Sequence, residues 1–423
     1  MQKVFKIVKS GYKALGSHSL LGDLISLGFG QVGVKLIAFV GTIAAVRGLG
    51  PSQMGNAGVV TAFAGALGLL VNLGVDVVGP RAISSAESGI EQKRLILGFL
   101  AARFVVSLVA VIVLPFYVIF RGEYGLVGVA ISGAVLVIVN GQVVQFAFQG
   151  LGLVRRIASV QLLTAIVALP VNLCVAKFFP TAEAYLLAQA VVVGVSVTYS
   201  WVLIGLSLKL VCYNALKTAK CWVSSTEGKS AWLSVIVMFA LGQGDMFSVT
   251  IFCDRGVIGN FSAALALIAA TNGIIGIIPT VVYAKQLAWV KAGRELFDLN
   301  QRRLLLITSL AAGALGVVCV PLGFYAGSLV LGKQFLLAPK IFAIILGISL
   351  ISLPYGVMSS ALNSLGLSQK NLKVTLVISL GALALYPLAA YFYSLNGVLG
   401  VKVILALAMT AMQFRIYRKS VNV

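Results

Sequence analysis

Apolar residues fall in long blocks along this chain, and the gaps between blocks are short and hold most of its charge. A bilayer core about 30 Å thick takes about 20 residues of helix to cross. On that measure the pattern predicts spans over residues 20–46, 56–79, 95–119, 125–149, 157–179, 184–207, 231–253, 257–283, 304–328, 341–365, 372–395 and 397–416. Only Asn396 and Gly397 mark the turn between the last two. The expected fold class is an all-α integral membrane protein of about twelve transmembrane helices. No gap can hold a folded extramembrane domain, so any chemistry must use groups inside the membrane or at its rims.

The pattern also repeats. Ala147–Arg156 reads AFQGLGLVRR and closes the fourth span; Ala361–Lys370 reads ALNSLGLSQK and closes the tenth, 214 residues later. Gly55-Asn56, after Arg47-Gly48, begins one apolar segment, and Gly259-Asn260, after Arg255-Gly256, begins another. Two echoes in the same order predict duplicated halves of six helices each, over 1–208 and 231–423, joined by the basic linker 209–230. Six is even, so both halves share one orientation and are related by an axis along the membrane normal.

Composition agrees with the pattern: hydrophobic residues make up 60% of the chain and charged residues only 10%, more apolar than a soluble domain of this length. The net charge of +21 would suggest nucleic acid in a soluble protein. Here the basic residues are sorted by gap: 23 of the 32 Lys and Arg lie in the tails and one set of alternate gaps, six in the other set, and Lys35, Arg103 and Lys402 within spans. That bias sets orientation, argues against nucleic acid, and predicts that both termini are cytoplasmic. Lys3, Lys6, Lys9 and Lys13 read as an amphipathic cytoplasmic leader. The five cysteines show no CxxC spacing and read as unpaired apolar fillers.

Polar residues inside spans are costly and mark function or pairing. On span one, Gly28, Gln31, Lys35, Ala38, Thr42 and Ala45 share a face by 3-4 spacing. Span two lines up Thr61, Gly65, Gly68, Asn72, Asp76 and Gly79, and span four lines up Gln142, Gln145 and Gln149. The small residues are also explained by close helix packing. Lys35, near mid-depth with no short route to water, is the strongest candidate to line a cavity. Arg103 either lines it too or snorkels to the rim. Asp245, beside Gly242, Gln243 and Gly244, neutralises a cation on another helix or exchanges a proton, whereas Asp76 is explained by solvation or pairing with Arg81, and Lys402 by its nearness to the outer rim. No cofactor or metal is expected, because the single histidine, His18, lies in the tail. Gly228-Lys229-Ser230 resembles the end of a P-loop, but Val223 stands where its first glycine is needed, which argues against ATP as the driver.

Val46–Asp76 (VRGLGPSQMGNAGVVTAFAGALGLLVNLGVD) and Phe148–Ala158 (FQGLGLVRRIA) resemble the corresponding stretches of the Wzx-type O-antigen and polysaccharide flippases. Met54 departs from the aromatic usual in that family's turn. The resemblance implies the multidrug/oligosaccharidyl-lipid/polysaccharide exporter fold, with two six-helix bundles around a central cavity that opens alternately to each side. It implies a bacterial inner-membrane protein that is not an enzyme and that moves an undecaprenyl-pyrophosphate-linked oligosaccharide from the cytoplasmic to the periplasmic leaflet. Polysaccharide polymerase and chain-length regulator proteins are its implied partners. A pyrophosphate cannot cross hydrocarbon unaided; Lys35 and Arg103 would screen it, while Gln31, Asn72, Gln142, Gln145, Gln149 and Asn272 would bond sugar hydroxyls. Asp245 and Asp76 remain for coupling or charge pairing. A cation-coupled multidrug exporter of the same fold is the alternative, with acids dominating its cavity. A membrane glycosyltransferase or polymerase fits less well, since the outer gaps are short and nearly uncharged.

Overall fold

The computed structural model describes residues 20–421 except 85, 152, 366 and most of 207–240 and 276–291, with side chains from residue 33 onward apart from 77, 81, 154, 155, 270, 272–281, 368 and 421. The tail before residue 20 and most of the linker 209–230 lie outside the described residues. Among the described residues every regular element is helical. The first, α1 (Leu20–Asn72), holds expected span one and most of span two in 53 residues. Straight, it would be about 80 Å long, far beyond a bilayer core. Its backbone leaves helical geometry at Gly50 (φ 70, ψ 174), where a β-carbon would be strained, and Pro51 opens the second arm, where a missing N–H costs nothing.

The first half continues through α2 (Val75–Ser84), α3 (Gly89–Ser107), α4 (Val109–Phe120), α5 (Val127–Gly141), α6 (Gln145–Gly150), α7 (Val154–Phe178) and α8 (Ala182–Ile204). The second contains α9 (Gly244–Phe252), α10 (Arg255–Ile275), α11 (Arg294–Leu331), α12 (Ala338–Ile351), α13 (Leu353–Ser364) and α14 (Ser368–Val421). Like α1, α14 is two spans in one, divided at Ser394 (φ 51, ψ −141). Eight helical stretches are long and apolar enough to cross a membrane. Dividing the two bent ones gives ten crossings among the described residues, and expected spans seven and eight are described only in part, at α9 and α10.

Among the described residues five spans expected to be continuous are divided, among them span three by the turn at Leu108 between α3 and α4 and span seven by the turn at Gln243 before α9. Span two breaks at Leu73 (φ 53) and Gly74 (φ 71), between α1 and α2. Span four breaks over 142–144, between α5 and α6, and span ten at Ser352, between α12 and α13. A break leaves carbonyls without intrahelical partners, and hydrocarbon offers none, so protein groups must supply them.

The longer echo is one turn made twice. Leu153 N donates to Phe148 O and Leu367 N to Leu362 O, both at 2.8 Å; Leu151 N donates to Ala147 O at 2.9 Å and Leu365 N to Ala361 O at 3.1 Å. The basic residue that ends each copy reaches the C-terminal end of its half: Arg156 Nη1 donates to Leu203 O at 2.5 Å, and Lys370 Nζ to Ser420 Oγ at 3.1 Å. Cations placed there favour the negative end of a helix.

The other echo lies where the halves touch. The second arm of α1 packs on α10 so closely that a β-carbon on Gly55 would overlap Arg255 O, and one on Gly259 would overlap Pro51 O. The contact is reciprocal, each glycine meeting the residue four positions before the other. Lipid tails are as apolar as leucine, so close approach of small residues drives such packing. Val46, Met54, Val59 and Ala62 of α1 share a buried cluster with Met246, Val249, Ile258 and Phe261. Around this junction Arg255 pairs with Glu123, Gln334 Nε2 donates to Arg47 O at 2.8 Å, and Arg47 donates to Leu329 O.

Candidate functional site

The first half encloses a cavity of about 250 Å³ between the first arm of α1, the α5–α6 break, α7 and α8. Lys35 and Ala38 enter from α1, Gln145 and Phe148 from α6, Gln161 and Thr164 from α7, Ser196 and Ser200 from α8. The Lys35–Ala38–Thr42–Ala45 face follows from helical spacing, with the Thr42 hydroxyl donating back to Ala38 O at 2.9 Å. Thr164 and Ser200 donate in the same way to Val160 O and Ser196 O, each at 2.7 Å. Their oxygen lone pairs remain available. Among the described residues no carboxylate lines the cavity, and half-buried Lys35 has no hydrogen-bond or ion-pair partner. An ammonium in a cavity that presents two amides and three hydroxyls on otherwise apolar walls suits an anion that carries hydroxyl groups.

Arg103 is committed elsewhere. Only 3% exposed, it donates from Nη2 to Asp76 Oδ1 at 2.7 Å and to Asn72 Oδ1 at 3.1 Å, from Nε to Asn72 O at 3.4 Å, and from Nη1 to Val143 O at 3.2 Å. Its guanidinium lies 5.0 Å from the centre of the Phe146 ring. Asn72 O is the last carbonyl of α1 and Val143 sits in the span-four break, so one cation serves carbonyls at two interrupted helices. A second, smaller cavity of about 110 Å³ borders this cluster, lined by Gly68, Asn72, Asp76, Arg103, Asn140 and Gln145 among others. Val143 and Gln145 belong to both cavity walls. Asp76 thus pairs with Arg103 while its side chain stays 51% exposed; the Arg81 side chain is outside the described residues.

In the second half Asp245 is 1% exposed and pairs with Lys402. It stands in the first turn of α9, after the turn at Gln243, and its Oδ1 also accepts from Met246 N at 2.7 Å. Both within-span acids described, Asp76 and Asp245, are therefore neutralised, as are two of the three within-span bases. Lys35 is the exception.

The side chains of Gln31 and Asn272 lie outside the described residues. Gln142, Gln145 and Gln149 do not form one continuous helix face, because the break at 142–144 rotates the chain between them. Gln142 keeps its side-chain nitrogen buried without a partner, Gln145 reaches both cavities, and Gln149 is exposed and lines neither. Sequence reasoning missed Gln161, Thr164, Ser196 and Ser200. Their signal was present: Gln161, Thr164 and Ala168 follow 3-4 spacing, and Ser196 and Ser200 lie one turn apart.

Membrane-crossing helices in two similar halves, interrupted where buried charges gather, define a multi-span transporter. The family model described as polysaccharide biosynthesis protein matches residues 20–283, and the chain belongs to that family, within the multidrug/oligosaccharidyl-lipid/polysaccharide exporter superfamily. Among solved structures, the chain is similar to a lipid II flippase, MurJ, in an inward closed conformation, with TM-score 0.74 and 13% identity over 93% of this chain and 87% of that one. It is also similar to an inward-facing multidrug-resistance MATE-family transporter, with TM-score 0.67 and 16% identity over 93% and 98%. A third is a superfamily transporter from Pyrococcus furiosus, described as having a binding pocket of reverse polarity, with TM-score 0.54 and 16% identity over 96% of each chain. At these identities the likeness concerns the fold. A comparison with curated proteins finds no match.

Proposed function

We propose that this protein is a flippase that carries an undecaprenyl-pyrophosphate-linked oligosaccharide, an O-antigen or similar surface-polysaccharide unit, from the cytoplasmic to the periplasmic leaflet by alternating access. The observation that carries the reading is the Lys35 ammonium, without a partner or a neighbouring carboxylate among the described residues, in a cavity lined by Gln145, Gln161, Thr164 and Ser196 among otherwise apolar side chains. Lys35 contacts the pyrophosphate or an acidic sugar, and the amides and hydroxyls take sugar hydroxyls. Arg103 acts behind them, fixing the two helix breaks that present Gln145 and Asn72. The prenyl tail stays in lipid, and no covalent step is required. The two bundles, 1–208 and 231–423, rock about the linker 209–230 in the bacterial inner membrane with both termini cytoplasmic, and deliver substrate to a polymerase and its chain-length regulator. Pairing of Asp76 and Asp245 with internal cations disfavours a cation-coupled drug exporter, which needs free acids.

Two measurements on one strain set test this. Deletion of the gene should accumulate a lipid-linked glycan; drug sensitivity without such a lipid would overturn the reading. Lys35→Ala should lose surface glycan at normal protein level, and Lys35→Arg should keep part of it despite a different donor geometry. Normal export by Lys35→Ala at normal abundance removes Lys35 from the site.

A further inference from the structure

A third cavity, of about 480 Å³, opens at the basic rim of the second half. It lies between the start of α11, the α13–α14 turn and the end of α14. Arg294, Lys370 and Lys419 supply cations, Asp298 an acid, and Val290, Phe297, Leu365 and Leu367 an apolar wall. Arg294 and Lys370 are partly engaged, donating to Ser420 O at 3.5 Å and Ser420 Oγ at 3.1 Å. An ammonium has three donors, so Lys370 keeps capacity. Lys419 and Asp298 have no hydrogen-bond or ion-pair partner among the described residues, and Asp298 Oδ1 is buried and unsatisfied.

Opposite charges that line one cavity at a membrane rim would be expected to collapse onto each other. Here neither Lys370 nor Lys419 forms an ion pair with the Asp298 carboxylate among the described residues. They stand around a space that fits a small polar group, and basic pockets between helices at such a rim bind phosphate headgroups. An anion alone would satisfy the lysines and worsen the position of Asp298. A group with phosphate at one end and an N–H or O–H donor at the other satisfies both.

We infer that this pocket binds a phosphodiester that carries a hydrogen-bond donor, with phosphate on Lys370 and Lys419 and the donor on Asp298. Ethanolamine and glycerol headgroups have this chemistry; choline, whose nitrogen has no hydrogen, does not. The apolar wall places an acyl chain beside the headgroup when the source is a lipid. The site stands in the opposite half from Lys35 and is independent of the transported substrate.

The test is native mass spectrometry of the purified, delipidated full chain with phosphatidylethanolamine, phosphatidylglycerol or phosphatidylcholine, and separately with soluble glycerophosphoethanolamine. Wild type should retain the first two lipids over phosphatidylcholine. Lys419→Gln, which breaks no hydrogen bond or ion pair among the described residues, should weaken retention by about tenfold, the loss of one charge-assisted hydrogen bond. Lys370→Gln with Lys419→Gln should weaken it further, and Lys370→Arg with Lys419→Arg should restore it. Asp298→Ala should abolish discrimination against phosphatidylcholine. Equal occupancy by the soluble ester would support the chemistry and assign a soluble source. Unchanged lipid retention by Lys419→Gln, or no headgroup preference in wild type, overturns the proposal.

Discussion

Arg103 and Asp76 form a pair in which the buried member is the base and the half-exposed member is the acid. That asymmetry sets the order of damage. Asp76→Ala leaves a guanidinium without its counter-ion where water is scarce, and breaking a fully buried pair costs about 3–5 kcal/mol. Arg103→Gln leaves a carboxylate that water can reach, so its charge penalty is smaller, although Asn72 O and Val143 O lose their donor. We expect Asp76→Ala to lower the folded amount at least as much as Arg103→Gln, measured by fluorescence-detected chromatography of the solubilised protein. Combining Asp76→Asn with Arg103→Gln should recover part of the loss. The same logic makes Asp245→Asn with Lys402→Gln milder than Lys402→Gln alone. Lys35→Ala should not lower the folded amount, because Lys35 has no partner among the described residues to abandon. Burial of polar groups was legible in the sequence from depth along each span. Partnership was not: Arg103 meets an acid 27 residues away across two helices, and spacing on one helix cannot report that distance.

At the level of elements, span positions could be read because bilayer thickness fixes helix length, whereas the interruptions inside spans could not. Apolar residues run on through Leu73 and through Val143-Val144, and nothing local forces a break. What makes these breaks tolerable is a buried donor from another helix, Arg103, reaching Asn72 O and Val143 O. Glycine at the break and glycine in the helix should therefore respond oppositely to one substitution. Gly74 has φ 71, so Gly74→Ala should destabilise by about 1–2 kcal/mol. Gly65 is helical, and a β-carbon there would have its nearest neighbour 4.0 Å away, at Gln243 Cδ; Gly65→Ala should stabilise by up to about 1 kcal/mol. Thermal unfolding of the two variants in one detergent checks both signs, and equal shifts would mean that the break at 73–74 is not held as described.

For the whole molecule, the shorter echo, Gly55-Asn56 and Gly259-Asn260, has a meaning that sequence alone could not assign, since a repeat does not say where its copies sit. The two glycines face each other across the junction of the halves, and the Glu123–Arg255 pair stands beside them. Alternating access requires contacts made in one state to be broken in the other, and a substitution shifts that balance only by acting differently on the two states. Gly259→Ala does so: its methyl cannot coexist with Pro51 O in the closed junction and meets no such obstacle once the halves part. If this junction must close in each cycle, Gly259→Ala should cut glycan export while protein level stays normal. It should also raise labelling of a single cysteine at Met54 by a membrane-impermeant maleimide, in a background without the native cysteines. Glu123→Arg should act in the same direction, and Glu123→Arg with Arg255→Glu should restore part of the export, because that pair is remade with its charges exchanged while Arg121, 3.6 Å from the Glu123 carboxylate, loses its ion-pair partner. Full export by Gly259→Ala with unchanged labelling would show that the Gly55–Gly259 contact is not one that the transport cycle needs to make.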